Sequence, residues 1–272
     1  MLRDWARVNA YTQALREVLS KTDNVLDAGS GLGILAKISR SITSGRVTAV
    51  EYFEPVSALA KIIAERCRLG DIDFVASRTY DVTVFPPPDI VVTETIGLIG
   101  PEENIVEICF DLKRRHPSIR AFVPSSMSLM IQAIQSNEVD RLYSETLEDL
   151  SGPGLWDIEP AHSDIEQAYC NQIHNADLLD AIVKSPPQII ADYDLGVTGS
   201  PDFHLDAEFD LGHWNAVCLY FDASLSPNVS LRNDVLSEKT HWMHNYIRRP
   251  GNSSKLSIKY DGASQAFEIQ WM

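Results

Sequence analysis

The chain of 272 residues is long enough for one large domain or two smaller ones, and its apolar content of 44% and charged content of 22% are ordinary for a soluble globular protein. Its formal net charge of −15 argues against nucleic acid as a substrate, because proteins that neutralise phosphates concentrate Lys and Arg; acidity of this kind either attracts a cationic substrate or serves solubility. No apolar run reaches 18 residues and no signal sequence opens the chain, so we expect a cytoplasmic protein without a membrane partner.

The first predicted element is a helix over residues 1–20. Its apolar side consists of Leu2, Trp5, Tyr11, Leu15 and Val18. Asp4 and Arg7 are three residues apart and therefore share one side of this helix.

A glycine-rich turn follows the next apolar run. The run begins at Val25, includes Asp27, and turns through Gly29, Gly31 and Gly33 into a pattern typical of a helix. Glycines are needed where the backbone takes conformations that a Cβ forbids and approaches a ligand closely. A second apolar run ends at Glu51, twenty-two residues after Gly29, where a carboxylate can accept both hydroxyls of a ribose. Together these features predict a cofactor that contains a nucleoside.

The glycine spacing narrows the choice of cofactor. The pattern is G-x-G-x-G, which differs from the G-x-G-x-x-G of pyrophosphate-binding loops. No Gly-Lys-Ser or Gly-Lys-Thr follows, so a P-loop is excluded.

Strand and helix patterns then alternate as far as residue 123. The predicted elements are strand 47–51, helix 55–68, strand 73–76, strand 89–94, helix 102–115 and strand 118–123. Such alternation predicts a parallel, doubly wound sheet in a first domain of residues 1–123.

From Pro124 onward the alternation of strand with helix is lost. The predicted strands are 128–135, 188–195, 202–211, 215–221, 240–248, 255–260 and 265–272. They indicate a second domain, residues 124–272, that is an antiparallel β-barrel or sandwich. Residues 140–182 are less strand-like but too apolar for a free loop, with Leu142, Leu147, Leu150, Leu155, Trp156, Leu178 and Leu179. We expect an inserted arm that buries its apolar face against a partner chain.

Two glutamates are candidates for catalysis. Glu94 ends a predicted strand, and the carboxyl ends of strands face the ligand crevice in an open α/β sheet. Glu103 follows nine residues later, and Gly97 and Gly100 allow a turn that returns it beside Glu94. Taken alone, Glu103 is also typical of an ordinary acid in the first turn of a helix.

Neither cysteine nor histidine spacing indicates a metal site. Cys67, Cys109, Cys170 and Cys218 are widely scattered without a C-x-x-C pair, and we expect them to be buried free thiols. His241 and His244 lack a third ligand nearby in the sequence.

Four landmarks of the chain resemble those of the protein arginine methyltransferases and occur in the family's order. In addition, the turn through Gly29, Gly31 and Gly33 is similar to motif I of the class I S-adenosylmethionine-dependent methyltransferases. Residues 94–103 resemble the family's double-E loop, and Thr240-His241-Trp242 resembles its THW loop. Residues 1–7 with Tyr11 are similar to the helix that folds over the cofactor, and Ala121-Phe-Val-Pro124 is similar to the strand leading into the β-barrel. The chain resembles a short, bacterial-type member.

The resemblance implies an S-adenosyl-L-methionine-dependent N-methyltransferase that acts on a guanidino group and works as a homodimer. It implies a Rossmann-like domain followed by a β-barrel, with residues 140–182 as the dimerisation arm. The implied cofactor-binding residues are Arg7 for the carboxylate, Asp27, Gly29, Gly31 and Gly33 for the methionine portion and its turn, and Glu51 for the ribose. The implied catalytic residues are Glu94 and Glu103, which grip the guanidinium, and His241, which supports the substrate site.

The chemistry explains why two carboxylates are paired. A guanidinium delocalises its lone pairs and has a pKa above about 12, so it is a poor nucleophile. Two carboxylates can hold it bidentately, localise its charge and aim one nitrogen at the methyl group. Like charges so close raise the pKa of one carboxyl group, which suits the more shielded glutamate to accept the proton.

The sequence departs from the family at two places, and these keep the substrate open. Residues 77–81 lack the glutamate that contacts adenine in the family, and the loop after Glu94 lacks the family's Trp-Met. The guanidino substrate is therefore arginine in a protein, in a peptide or in free form. Two alternatives remain, namely a methyltransferase for another small-molecule or peptide nucleophile and a catalytically silent relative that works by binding.

Overall fold

The computed structural model describes residues 4–152, 158–238 and 240–272. The chain divides into two compact units. The first contains the chain up to Met127 together with Asp192–Pro201 and Asp222–Leu231. The second contains Ser128–Ala191, Asp202–Phe221 and Arg232–Met272.

A five-stranded parallel sheet forms the centre of the first unit. Its elements, in chain order, are α1 Trp5–Val18, β1 Val25–Ala28, α2 Ile34–Ile42, β2 Val47–Glu51, α3 Glu54–Arg66, β3 Asp73–Ala76, β4 Ile90–Thr93, α4 Ile105–Arg115 and β5 Ala121–Val123. The strand order is β3-β2-β1-β4-β5, and every neighbouring pair is parallel. The predicted doubly wound sheet is confirmed. Its order reverses between β1 and β4, and ligands bind at such a switch point, outside the carboxyl ends of the strands.

The buried face of α1 includes a charged residue. Arg7, Tyr11 and Leu15 are spaced four residues apart and are fully or almost fully buried. Trp5, which the apolar pattern placed in the core, is exposed, because it lies two residues from Arg7 and so on the opposite side of the helix. Leu2 lies outside the described residues.

The helix predicted over residues 102–115 begins later than expected. Pro101–Glu103 form a short 3₁₀ turn, and α4 starts at Ile105. The basic residues at its carboxyl end, Lys113, Arg114 and Arg115, lie in its last turn as predicted.

The remaining elements are mostly strands. In chain order they are β6 Ser126–Gln135, α5 Asn137–Ser151, α6 His162–Cys170, β7 His174–Ala176, β8 Ile182–Val183, β9 Gln188–Asp194, β10 Phe203–Glu208, β11 Ala216–Ser226, β12 Val229–Arg232, β13 His244–Arg248, β14 Lys255–Asp261 and β15 Ala266–Trp271. One sheet has the order β7-β13-β11-β6-β8, with β12 on β11 and β9 on β6, and a three-stranded antiparallel sheet has the order β10-β14-β15. Their closure into a single barrel stays a prediction.

The segment expected to form the arm is mainly helical where the structure describes it. Helices α5 and α6 account for most of it, and Val139 and Tyr143 of α5 are buried. Leu178 lies in the core of the second unit with Ile134 and Tyr246, whereas Leu150 and Leu179 are exposed. Leu155 and Trp156 lie outside the described residues.

Three further observations concern membranes, metals and thiols. Among the described residues, no helix is long and apolar enough to cross a membrane. Within the same part of the chain, no group of three His, Cys, Asp or Glu side chains could hold a metal ion. All four cysteines are free; Cys109, Cys170 and Cys218 are buried, but Cys67 is exposed because it follows the end of α3.

Candidate active site

The register of the parallel sheet brings three candidate residues to one edge. Ala28 of β1 is aligned with Val50 of β2 on one side and with Thr93 of β4 on the other. The next residues along these strands are Gly29, Glu51 and Glu94. They therefore follow one another across the carboxyl edge of the sheet, where a doubly wound fold binds its ligand.

The three glycines of the turn differ in what surrounds them. All have positive φ angles, 73° at Gly29, 51° at Gly31 and 71° at Gly33, which favour glycine. A Cβ on Gly29 would lie 2.6 Å from the Thr95 methyl group, and one on Gly33 would lie 2.8 Å from the ring of Phe74. A Cβ on Gly31 would meet nothing within 4 Å. Gly31 thus borders open space, while Gly33 is needed for packing of the turn.

Asp27 is a buried carboxylate with one oxygen already engaged. Its Oδ2 accepts a hydrogen bond of 2.8 Å from the backbone N–H of Ala36. Its Oδ1 is buried and has no hydrogen-bond partner among the described residues. Burial raises the pKa of Asp27 to about 7, and the negative charge of Glu51 adds to the rise, although the Ala36 bond opposes it.

Glu51 ends β2 and fixes the turn opposite it. Its Oε2 accepts from the backbone N–H of Gly31 at 2.9 Å, and its Oε1 accepts from that of Phe53 at 2.8 Å. Each carboxylate oxygen has a second lone pair, so both can accept a further hydrogen bond.

Glu94 pairs with Arg7. The distance from Arg7 Nη1 to Glu94 Oε2 is 2.9 Å, and the two side chains are only 2% and 10% exposed. Asp4 caps α1 by accepting from the backbone N–H of Arg7 and lies 3.6 Å from its Nε. The hydroxyl of Tyr11 donates to the carbonyl of Thr93, the residue before Glu94. Helix α1 therefore holds the end of β4 through both a side chain and the backbone.

The pKa of Glu94 is raised to about 7, chiefly by burial. The positive charge of Arg7 opposes this rise, and the negative charge of Glu103 adds to it. The pKa of Glu103 is also raised, first by partial desolvation and then by the adjacent negative charge of Glu102. Glu103 is nevertheless more exposed than Glu94. Glu94 is therefore the more shielded glutamate.

The loop between Glu94 and Glu103 is fixed by a third glutamate, Glu102. Glu102 accepts from the backbone N–H of Ile99 at 2.9 Å and from that of Gly100 at 2.7 Å. A Cβ on Gly97 would lie 2.5 Å from this carboxylate, so only glycine fits there. Two consecutive glutamates thus have different roles, since Glu102 shapes the loop and Glu103 lines the cavity described next.

A cavity of about 490 Å³ lies beside the carboxyl edge of the sheet. Its lining includes Gly29, Glu51, Glu94 and Glu103. Four of the residues predicted to bind cofactor or substrate thus line one space. Arg7 and Asp27 do not line it but are buried, Arg7 in contact with Glu94 and Asp27 in contact with Ala36 in the first turn of α2.

Sequence reasoning missed several residues of the same cavity. They are Tyr52, Ser77, Arg78, Thr79, Tyr80, Thr95, Asn104 and Ile108. The guanidinium carbon of Arg78 lies 5.1 Å from the centre of the Tyr52 ring, within the range of a cation–π contact. For Tyr52 and for residues 77–80, the available signal was their position directly after β2 and β3, at the carboxyl edge.

His241 belongs to the second unit and lies in the turn before β13. Its ring is exposed and lies 4.2 Å, centre to centre, from the ring of Trp242. Trp242 is buried and packs edge to face on Phe221 at 4.9 Å. A buried tryptophan therefore anchors the turn that presents His241.

Comparison with known proteins agrees with this architecture. No sequence profile of a known protein family matches the chain. A protein arginine N-methyltransferase 7 from Drosophila ananassae is 33% identical over 91 residues, which are 31% of this chain and 13% of that protein. The chain therefore spans only a small part of that relative. An arginine N(omega)-methyltransferase from Streptomyces achromogenes subsp. streptozoticus is 22% identical over 91% of this chain and 69% of its own length.

The fold extends the similarity to the whole chain. The structure of the Trypanosoma brucei PRMT1 enzyme–prozyme complex with AdoHcy superposes with a TM-score of 0.76 and 16% identity, covering 100% of this chain and 96% of that one. The resemblance predicted from the motifs is confirmed, and the chain has the fold of the protein arginine methyltransferases along its full length.

Proposed function

We propose that this chain is an S-adenosylmethionine-dependent N-methyltransferase that acts on a guanidino group. One observation carries the proposal: a single cavity is lined by Gly29 and Glu51, which suit a nucleoside cofactor, and by Glu94 and Glu103, which suit a guanidinium. Two of its relatives are arginine methyltransferases by name.

The residues beside the cavity fit the methionine and ribose portions of the cofactor. Asp27 keeps one buried oxygen without a partner in the described chain, which suits the ammonium group of the cofactor. Gly31 leaves open space where a larger residue would intrude. Both oxygens of Glu51 can accept a ribose hydroxyl in addition to their backbone donors. When bound, the cofactor supplies an electrophilic methyl group on a positively charged sulfur.

Arg7 joins the cofactor and substrate portions of the site. Its planar guanidinium can bridge two carboxylates, because its donors point in different directions. We propose that it binds the cofactor carboxylate while keeping its contact with Glu94, which it holds at 2.9 Å.

Glu94 and Glu103 would bind the substrate guanidinium from two sides. Holding the group in one orientation places a single nitrogen for attack and localises the positive charge elsewhere on the group. As that nitrogen gains the methyl group it loses a proton, and Glu94 accepts it, since burial raises its pKa to about 7. Glu103, the more exposed carboxylate, binds the guanidinium from the other side.

Three further features belong to the proposal. We propose that His241 supports the substrate site, that the antiparallel strands close into a β-barrel, and that residues 140–182 mediate a homodimer. The exposed Leu150 and Leu179 support the last of these, because apolar side chains of this size gain from burial against a second chain. The net charge of −15 supports a cationic substrate. We also propose that the protein is cytoplasmic.

The form of the substrate is decided by a transfer assay with methyl-labelled cofactor. Free arginine, arginine-containing peptides and a small-molecule extract serve as acceptors for the same preparation. Label on arginine in any of the three forms supports the proposal and assigns the substrate class. Label on a non-guanidino compound in the extract identifies the alternative methyltransferase. Cofactor binding without transfer to any acceptor indicates the silent relative.

A further inference from the structure

Arg115 ends α4 and reaches a segment of chain that is distant in sequence. Its Nη2 donates to the carbonyl of Thr79 and its Nη1 to the carbonyl of Val82, each at 2.7 Å. Its Nε donates to Asp111 Oδ2, also at 2.7 Å, one helical turn earlier. A planar guanidinium with donors on two edges is suited to joining a carboxylate on one element to two carbonyls on another.

The segment that Arg115 holds lines the candidate active site. Ser77, Arg78, Thr79 and Tyr80 all border the cavity, beside Glu51. The backbone N–H of Ser77 donates to the carbonyl of Glu51 at 3.0 Å, which fixes one end of the segment. The two carbonyls bound by Arg115 lie at the other end, around the 3₁₀ turn Thr79–Asp81. Arg115 thus determines where this wall of the cavity lies.

The neighbouring basic residues of α4 have other partners. Lys113 donates to the carbonyls of Pro117 and Ile119, and Arg114 is 70% exposed and pairs with Asp111 at 3.2 Å. All three residues complement the carboxyl end of the helix. In the described part of the chain, Arg115 is the one of these three residues that bonds to the cavity wall, so its role goes beyond that of a basic residue at a helix end.

We propose that Arg115 is a positioning residue that sets affinity for the nucleoside part of the cofactor by holding residues 77–82 in place. This inference rests on the proposed function. The same helix starts directly after Glu103 and Asn104, which line the cavity as well. Helix α4 therefore connects the glutamate loop at its amino end with the nucleoside wall at its carboxyl end.

The test compares Arg115→Ala, Arg115→Lys and the matched control Arg114→Ala. Arg114→Ala removes a cation from the same helix end and from the same partner, Asp111, without a bond to residues 77–82. Affinity for S-adenosylhomocysteine is measured by calorimetry, and cofactor KM and kcat by the transfer assay. Amide hydrogen exchange of residues 77–82 and 29–33 is measured in the protein without cofactor.

Arg115→Ala should weaken cofactor binding roughly 10-fold, as expected for the loss of charge-assisted hydrogen bonds. Cofactor KM should rise while kcat at saturation stays within about 2-fold. Amide exchange should accelerate in residues 77–82 but not in the turn 29–33. Arg115→Lys keeps the charge but has a compact donor, so its cofactor affinity should lie between those of Arg115→Ala and the wild type. Arg114→Ala should bind the cofactor as the wild type does.

Two outcomes overturn the inference. If Arg115→Ala and Arg115→Lys bind the cofactor as the wild type does, Arg115 does not set affinity, even if both variants are less stable. If Arg114→Ala weakens cofactor binding equally, the effect is caused by the loss of a positive charge at the end of α4 and not by the bonds of Arg115. A wild-type protein that fails to bind the cofactor is a separate result, because it removes the proposed function itself. Should Arg115→Ala not fold, Arg115→Lys alone decides the matter.

Discussion

The carboxylate proposed to bind the substrate guanidinium, Glu94, is paired in this chain with an internal guanidinium, that of Arg7, at 2.9 Å. The pair is almost completely removed from water, so each charge depends on the other. Burial raises the pKa of Glu94 to about 7, and without Arg7 this pKa would be higher still. Arg7 therefore controls whether Glu94 is ionised near neutral pH.

Replacing Arg7 by Gln should move the pH dependence of methyl transfer to higher pH. The proton acceptor must be ionised to act, and loss of the adjacent positive charge raises the pKa of Glu94. At pH 7 we expect turnover to fall roughly 10-fold or more. A pH profile of kcat from pH 6 to 9 measures this. An acid limb at the same pH in both proteins would show that Arg7 does not tune Glu94.

Glycine substitutions should separate the cofactor space from the packing of the turn. Gly31→Arg should abolish cofactor binding, because its side chain would fill open space beside the cavity, at a conformational cost of only about 1–2 kcal/mol for a positive φ. Gly33→Ala should instead lower the melting temperature, since its Cβ would lie 2.8 Å from the Phe74 ring. Calorimetric titration and thermal unfolding of both variants measure the contrast. A Gly31→Arg protein that still binds the cofactor would place the cofactor elsewhere.

Asp27 should make the chain less stable as the pH rises towards neutrality. Its pKa is about 7 in the folded chain and about 3.9 in an unfolded one. Between these values the folded state binds more protons than the unfolded state, so the free energy of unfolding falls with increasing pH. Asp27→Asn cannot ionise but keeps an oxygen that accepts the N–H of Ala36. Urea unfolding at pH 5 and pH 8 should show a smaller fall for Asp27→Asn than for the wild type.

Asp23 provides a control because its pKa shift is opposite in sign to that of Asp27. Burial acts to raise its pKa, but hydrogen bonds from Ser20 and the pairing with Arg120 outweigh burial and lower it. Its contribution to stability is therefore present above its unfolded pKa and lost in acid. Asp23→Asn should remove stability at pH 8 and preserve the downward trend between pH 5 and pH 8. If Asp27→Asn gives the same pH trend as the wild type, the buried carboxylate is not responsible.

The fold of the first unit could be predicted closely because the patterns of its individual strands and helices agree with the alternation that a parallel sheet requires. Strand β3 has the bounds that its pattern predicted, and the row of Gly29, Glu51 and Glu94 follows directly from parallel register at strand ends. The burial of Arg7 could not be derived from an apolar pattern, because its desolvation is offset by a partner 87 positions away in sequence.

The way in which residues 77–82 are held, of which 77–80 line the cavity, could not be predicted from the sequence for a similar reason. Nothing in Thr79 or Val82 indicates that their carbonyls bind a guanidinium, since every residue carries a carbonyl. The basic end of α4 was predicted, but helix-end electrostatics explain Lys113, Arg114 and Arg115 equally well. Only the fold distinguishes Arg115. In the segment expected to form an arm, apolar spacing predicted burial but not that Leu178 would be buried within the unit and Leu179 left exposed.

The exposed leucines of that segment should support a dimer. We expect the wild type to sediment as a dimer at micromolar concentration, and Leu150→Asp with Leu179→Asp to shift it towards the monomer, because charge at an apolar interface is costly. Leu211, which is 78% exposed like Leu179 but lies outside residues 140–182, supplies the control Leu211→Asp, which should leave the dimer intact. A wild type that sediments as a monomer at this concentration would count against the arm.

The two glutamates decide whether the site binds a guanidinium. Glu94→Gln and Glu103→Gln keep shape and hydrogen-bonding capacity but remove charge. Each lost charge-assisted bond should be worth about 1.5–3 kcal/mol, or roughly 10 to 100-fold in turnover, and Glu94→Gln should lose more because it also removes the proton acceptor. Glu102→Gln measures the contribution of the loop alone, because this carboxylate binds the backbone of Ile99 and Gly100 and does not line the cavity. Its loss of turnover should be smaller than that of Glu94→Gln or Glu103→Gln.

Cofactor affinity distinguishes the causes of lost turnover in these variants. In Glu94→Gln the Arg7 guanidinium loses the closer of its two charged partners, keeps Asp4, and can pair more fully with the cofactor carboxylate, so cofactor affinity should be unchanged or higher. A neutral or anionic nucleophile would behave differently, because removing negative charge near it is harmless or favourable. Turnover and calorimetric affinity are therefore measured on the same preparations. Near-normal turnover in both Glu94→Gln and Glu103→Gln would show that the glutamates do not grip a cation, and would leave the methyltransferase proposal with a different nucleophile.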